Sequence, residues 1–366
     1  MSSYSPVIYF FSLFLSLALI YTIAPQILPS QNPFFHPHDD LDDLALFNKA
    51  LRSVSGHKNN HHHHNHNNNR RSNLRISRLA TKNPTPKIAF LFLTNSNLTF
   101  APLWDRFFRG HSRYYNVYVH ADPSAAVRIP SGGAFQSSLI PSKKTARASP
   151  TLIAAERRLL ARAILDDPLN LYFALVSQHC IPIHSFPFLY RSLLGDNPLR
   201  AFTSQSRHRS FIEILSEDPN LPERYVARGE NVMMPEVPFE EFRVGSQFFV
   251  LAKRHAVTVL SDKKLWRKFR LKCLNLDSCY PEEHYFPTLL SMEDPRGCSG
   301  FTLTNVNWTD SFDGHPRTYE APEISASLVQ RLRQSNSSYP YFFARKFSPD
   351  CLPPLMEMAD DVIFRD

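Results

Sequence analysis

The sequence predicts an α/β sandwich whose ligand crevice lies at the carboxyl ends of its strands. Three observations predict it. Short continuous apolar runs, bounded by proline or polar residues, recur between residues 87 and 176 and read as strands buried on both faces. A well-capped helical stretch separates two of them. The runs close on polar turns that carry reactive side chains, Asp122 after one and Ser177 to Cys180 after another.

Taken in order, the chain opens with a short tail, residues 1–6. Val7–Ala24 (VIYFFSLFLSLALIYTIA) then holds eighteen residues without a charge, close to the minimum that spans a bilayer. Pro25 follows directly, where a cleavage site would need freedom. Residues 7–24 therefore read as an uncleaved signal anchor that places the chain in a membrane, tail cytosolic and bulk lumenal, as a single-pass type II protein. A cleaved secretory signal is the alternative. The acidic flank at Asp39, Asp40, Asp42 and Asp43 says little about orientation, because acids contribute little to topology. Three sequons, at Asn97, Asn307 and Asn336, agree with a lumenal catalytic part. Residues 25–85 read as a disordered lumenal stem. Within it Leu44–Val54 suits a short helix, and His57–Asn69 (HKNNHHHHNHNNN) has no apolar periodicity to bury.

The globular part, residues 86–366, begins sharply. Lys87–Thr94 (KIAFLFLT) is a buried strand and Phe100–Phe108 a helix, with Pro102 imposing a late start. Tyr114–Val119 is a second strand. Ser149–Leu165 is a helix with Ser149 as cap, Pro150 in the first position and Glu156 in the second turn. Leu171–Val176 is a third strand. Residues 208–240, polar and broken by Pro219, Pro222, Pro235 and Pro238, read as loops over the acceptor side. Arg243–Leu251 and Thr302–Trp308 read as strands. Arg254–Lys272, Glu323–Arg333 and a last segment from Pro353 read as helices.

Composition limits the function. The chain has 366 residues, 43% of them hydrophobic, and 29 Phe against 10 Gly, which is enough for a large aromatic core. The formal charge of +8 comes without any nucleic-acid-binding signature, so it suits phosphate-bearing small molecules or plain solubility. Five cysteines leave at least one unpaired, one or two disulfides are expected, and no Cys/His spacing of a zinc site is present. The only Asp-X-Asp spacing is Asp40-Leu41-Asp42, in the stem.

Tyr280–Leu290 (YPEEHYFPTLL) carries the most chemistry. A carboxylate at a cleft mouth against aromatic walls can act as general base for a hydroxyl nucleophile, with Tyr285 and Phe286 supplying the desolvation. The same pattern is also a helix start, Pro281 followed by two acids.

The ordered blocks KIAFLFLT, YVHADP, SPTLIAAERRLLARAILDD, ALVSQHCIPI, FRVGSQFFVL, YPEEHYFPTLL, HPRTY and FFARKF resemble the plant branch of the core-2/I-branching β-1,6-N-acetylglucosaminyltransferase family, over residues 86–364. The resemblance implies a GT-A-like nucleotide-sugar-binding α/β/α sandwich in a Golgi membrane protein. It also implies inverting transfer of a sugar, N-acetylglucosamine first, from a UDP-sugar to a hydroxyl of a glycan acceptor, with no divalent metal. By position, Glu283 matches the catalytic base, and Arg317 and Lys346 match the donor diphosphate contacts. Asp122 and Glu156 fall in the nucleotide-sugar pocket, and Ser246, Gln247 and Glu282 on the acceptor side. Residue by residue, Asp122 reads equally as a turn former before Pro123, Glu156 as a solvated helix face, and Glu282 as the helix start. The chain departs from the family at Gln178 and His179, where Glu and Ser are common, and at Phe242 and Phe248, where Trp is common. UDP-glucuronic acid or UDP-xylose as donor, or a membrane-anchored sugar-binding or scaffold protein without catalysis, are the alternatives. A hydrolase using Glu282 and Glu283 is disfavoured, because adjacent acids on a helix diverge.

Overall fold

The computed structural model describes residues 13, 15–16, 37–59, 84–195, 208–309, 311 and 314–366. The expected anchor at 7–24 lies outside them apart from three positions. Among the described residues no helix is long and apolar enough to cross a membrane.

The first described element is helix α1, Pro37–Asn59. The span 25–85 is expected to be a disordered stem with at most a short helix; over 37–59 α1 is longer than that, and residues 25–36 and 60–83 lie outside the described residues. Phe47 and Ala50 are buried against the globular body. Asp43 takes both Nε and Nη2 of Arg158, each at 2.7 Å. Asp40 pairs with Arg270 and Asp42 lies 3.8 Å from Lys143, so the Asp-X-Asp spacing serves to dock this helix.

Strand β1, Lys87–Thr94, is followed by α2, Ala101–Phe108, and β2, Tyr115–Ala121. Then come α3, Pro150–Asp166, and β3, Asn170–Ser177. The Ser149 hydroxyl caps α3 by accepting from Thr151 N, with Pro150 in the first turn as expected. These strands are parallel, with β1 between the other two, so Thr94, Ala121 and Ser177 end side by side. Beyond β3 the sheet continues through β6 (Val250–Ala252), β5 (Ser210–Glu213) and β7 (Cys298–Gly300), with β6 antiparallel to both its neighbours. A second sheet of three short strands, β4 (Ile181–Pro182), β9 (Phe343–Arg345) and β8 (Thr304–Val306), stands beside it. This mixed, parallel-rich α/β architecture fits the GT-A-like expectation.

The aromatic content fills one layer. Phe90 and Phe92 on β1 meet Trp104, Phe107, Phe108 and Phe343 edge-on or tilted at 4.8 to 6.3 Å between centroids. Trp104 Nε1 donates to Cys180 O at 3.1 Å, which ties α2 to the turn after β3.

Several expected elements are shorter or divided. Arg243–Leu251 is mostly irregular, because Gly245 passes so close to Glu213 that a Cβ there would lie 2.0 Å from its carbonyl oxygen. Residues 254–272 form two helices, Lys253–Ser261 and Lys264–Phe269. The break falls at Asp262, whose carboxylate accepts from the amides of Lys264, Leu265 and Trp266. Residues 208–240 are not all loop: they contribute β5 and a short helix, Leu221–Val226. Cys273 and Cys279 form the disulfide, and Cys180, Cys298 and Cys351 are free and buried.

Candidate active site

Pro281–Glu283 is one turn of 3-10 helix, entered from Tyr280 in the left-handed region at φ 33 and continued by the helix Tyr285–Glu293. The tight turn sends its two carboxyls in opposite directions. Glu283 faces a cavity of about 380 Å³, lined also by Glu213, Arg224, Ser246, Trp308 and Tyr341. Its Oε2 accepts from Arg224 Nη1 at 2.8 Å, and its carbonyl accepts from Gly245 N at 2.9 Å, so side chain and backbone are both fixed. Glu213 accepts from Ser246 N at 2.9 Å through Oε2; burial pushes its carboxyl up, with a further push from Glu283. With Asp218, the cavity wall thus holds three acids and a guanidinium together with two aromatic side chains.

Glu282 points the other way. It is buried, and its Oε1 accepts from Ala148 N at 3.3 Å. Burial drives its carboxyl up to about 8. It does not line the cavity that Glu283 faces, and its burial and bond to Ala148 favour the structural reading. Glu156 is not on a solvated helix face: it is fully buried, and its Oε1 accepts from Gln247 Nε2 at 2.6 Å. Burial raises its carboxyl well above the usual range, helped by Glu282 nearby. Gln247 therefore turns inward to Glu156, whereas Ser246 stays on the cavity wall. Tyr285 and Phe286 are core residues and do not screen Glu283. Tyr280, Trp308 and Tyr341 take that place, with Arg224 lying 5.3 Å from the Tyr280 ring centroid.

Asp122 sits at the carboxyl end of β2, as expected, but spends its oxygens internally. Oδ1 accepts from Ser124 N and Oγ, and Oδ2 from Thr145 N and Oγ1. Burial alone would raise its carboxyl, and these four bonds more than offset it. The turn-former geometry is present, and Asp122 organises the loop that follows.

Arg317 and Lys346 come from segments that run side by side. Tyr319 N donates to Lys346 O at 2.8 Å, and Ser348 N to Tyr319 O at 3.0 Å. Arg317 donates to Glu323 Oε1 at 2.5 Å and lies 5.4 Å from the Tyr319 ring centroid. The Lys346 ammonium is lowered, first by burial and then by the charges of Arg345 and Arg147. Arg345 lies over the Phe248 ring at 4.4 Å; burial lowers its guanidinium, and Cys180 and Glu283 oppose that. Arg345 thus stands between the two, interacting with Glu283 on one side and with Lys346 on the other. The departure at His179 belongs with them as well: burial holds its imidazole low, Lys346 adds to that, and Nδ1 lies 3.3 Å from Phe347 O. Gln178 donates to Asn95 at 2.9 Å. Phe242 stacks on His284 at 4.6 Å inside the core.

Asn97 and Asn336 are exposed. Asn307 is half-buried, and its Nδ2 donates to Tyr319 Oη at 3.1 Å. Among the described residues no three His, Cys, Asp or Glu side chains gather as a metal-binding group. The sequence reading missed Arg224, Glu213, Arg345 and Arg147. Arg345 was one residue from a chosen site, but the other three lie in stretches without regular periodicity.

With this geometry in view, the family model for the core-2/I-branching enzyme matches residues 88–333. The chain belongs to the core-2/I-branching enzyme family. It is a glycosyltransferase. It is also 27% identical over 285 residues to "Glycosyltransferase BC10" of Oryza sativa subsp. japonica, covering 69% of this chain and 67% of that one. Every segment of the site up to Arg317 lies inside the matched span. Lys346 lies beyond it, joined through the backbone bond to Tyr319.

Proposed function

We propose that this glycosyltransferase is inverting and metal-independent, and moves a sugar, N-acetylglucosamine first among the candidates, from a UDP-sugar to a hydroxyl of a glycan acceptor. The observation that carries the reading is that Glu283, held by Arg224, opens into a cavity of about 380 Å³ whose wall includes Trp308 and Tyr341, with Arg345 acting on Glu283 and Lys346 next to Arg345.

In the proposed reaction an acceptor hydroxyl enters the cavity beside Glu283. The carboxylate takes the hydroxyl proton as the oxygen attacks the anomeric carbon from the face opposite the diphosphate. One carbon–oxygen bond forms and the bond to the phosphate oxygen breaks, inverting the centre. UDP leaves with the electron pair, and Lys346 and Arg317 stabilise the developing charge as fixed cations. Arg224 holds the Glu283 carboxylate in one orientation. Trp308 and Tyr341 give the sugar ring its apolar surfaces. We place the active domain in the Golgi lumen, anchored through residues 7–24, on the strength of the apolar segment and the sequons.

A thermal-shift screen of the purified full-length chain against UDP-sugars, with and without EDTA, tests this. One donor should stabilise the protein equally in both conditions, by about 2.7 kcal/mol at a hundredfold excess over Kd. Stabilisation that requires manganese, or none from any UDP-sugar, contradicts the reading.

A further inference from the structure

Loop 142–149 connects the two halves of the site and is pinned at both ends. At one end Thr145 gives its amide and hydroxyl to Asp122 Oδ2, at 2.7 and 2.8 Å. At the other, Ala148, in the left-handed region at φ 52, donates to Glu282, the residue before Glu283. A non-glycine residue there is uncommon, and these bonds hold it in place.

Between the pins stands Arg147, exposed at the site mouth. Its Nη1 lies 2.7 Å from His315 Nε2, and because a guanidinium only donates, the imidazole accepts. Nη2 donates to Gly314 O at 3.3 Å. The guanidinium carbon lies 5.8 Å from the Tyr280 ring centroid. A Cβ added at Gly314 would come within 3.1 Å of Tyr280 Oη and 3.3 Å of Arg147 Nη2, so guanidinium, phenol and backbone are closely packed. These contacts put Arg147 on the segment that carries Arg317, above the residue that begins the Glu283 turn. Its charge also reaches Lys346.

We propose that Arg147 is a third cation for the donor diphosphate, delivered by loop 142–149 and held there by the Asp122–Thr145 pin. An arginine at the mouth, with its fork already oriented, suits a phosphate oxygen pair. The inference rests on reading Arg317 and Lys346 as diphosphate contacts, and it explains why Asp122 is committed to the loop.

The test is calorimetric binding of UDP and of uridine, in EDTA, to the purified full-length chain and to Arg147→Gln, Arg147→Lys, Arg317→Gln and Lys346→Gln. Arg147→Gln should weaken UDP about tenfold or more and uridine by about twofold or less, with Arg147→Lys recovering part of the loss. If Arg317→Gln and Lys346→Gln weaken UDP while Arg147→Gln leaves it within about twofold, the inference is wrong and the diphosphate reading stands. If none of the three matters, the diphosphate reading itself fails and takes the inference with it. Equal weakening of UDP and uridine by Arg147→Gln, with no recovery in Arg147→Lys, assigns it a purely structural role and also overturns the inference.

Discussion

Glu282 and Glu283 are neighbours in sequence and opposites in chemistry. The 3-10 turn aims Glu283 at the cavity and Arg224, and drives Glu282 into the protein beside Glu156. Because burial lifts the Glu282 carboxyl to about 8, it keeps its proton in the folded state where the unfolded chain has lost it. Between roughly pH 4.5 and 8 the folded protein therefore binds more protons, and stability falls as pH rises, by about 1.4 kcal/mol per unit for a single such group. Glu156, raised in the same direction, adds to the slope. Glu282→Gln should flatten this dependence in thermal melts run across that range. A slope unchanged by the substitution would show that the carboxyl is not held protonated. The pair of acids was visible in the sequence, but their directions were not. Direction depends on Tyr280 adopting φ 33 and on Ala148 reaching across from a distant loop. Asp122 shows the same limit. Its place at a strand end was legible, whereas its use as a loop pin depends on Thr145, 23 residues away.

At the scale of elements, the periodic segments were the legible ones. The strands at 87–94 and 170–177 and the capped helix from Pro150 came through with small shifts at their ends. Apolar runs and caps are local signals, and tertiary contacts rarely override them when they are this strong. Elements that failed were set by distant partners, such as the break at Asp262 and the irregular path forced by Gly245 against Glu213. Helix α1 is the largest revision. Its acidic end looked like a solvated stem because the partner that makes it structural, Arg158, lies 115 residues on. Arg158 is buried, so removing Asp43 would leave a guanidinium without its partner inside the protein. Asp43→Ala should cost about 3–5 kcal/mol in denaturant unfolding. A loss under about 1 kcal/mol, the range of a surface pair, would mean that α1 is only loosely docked.

At the scale of the whole molecule, the fold gathers charge that the sequence scatters. Arg224 lies in the short helix Leu221–Val226, Glu283 ends the turn before a helix, Arg317 lies on a loop, Arg345 ends a strand of the second sheet with Lys346 next, and Arg147 precedes α3. No periodicity links these positions, so only the ordered blocks of the family resemblance pointed to some of them in advance. Their convergence is the central claim: one acid for the incoming hydroxyl, and side-chain cations for the outgoing diphosphate. The most direct measurement is the rate of UDP release from the donor that binds, with a glycan acceptor pool and in EDTA, for the wild-type chain and for Glu283→Gln. The account predicts that the chelator leaves wild-type turnover unchanged and that the substitution lowers it by about a thousandfold while donor binding persists. Full activity in Glu283→Gln, or wild-type activity lost in EDTA and restored by manganese, would contradict it.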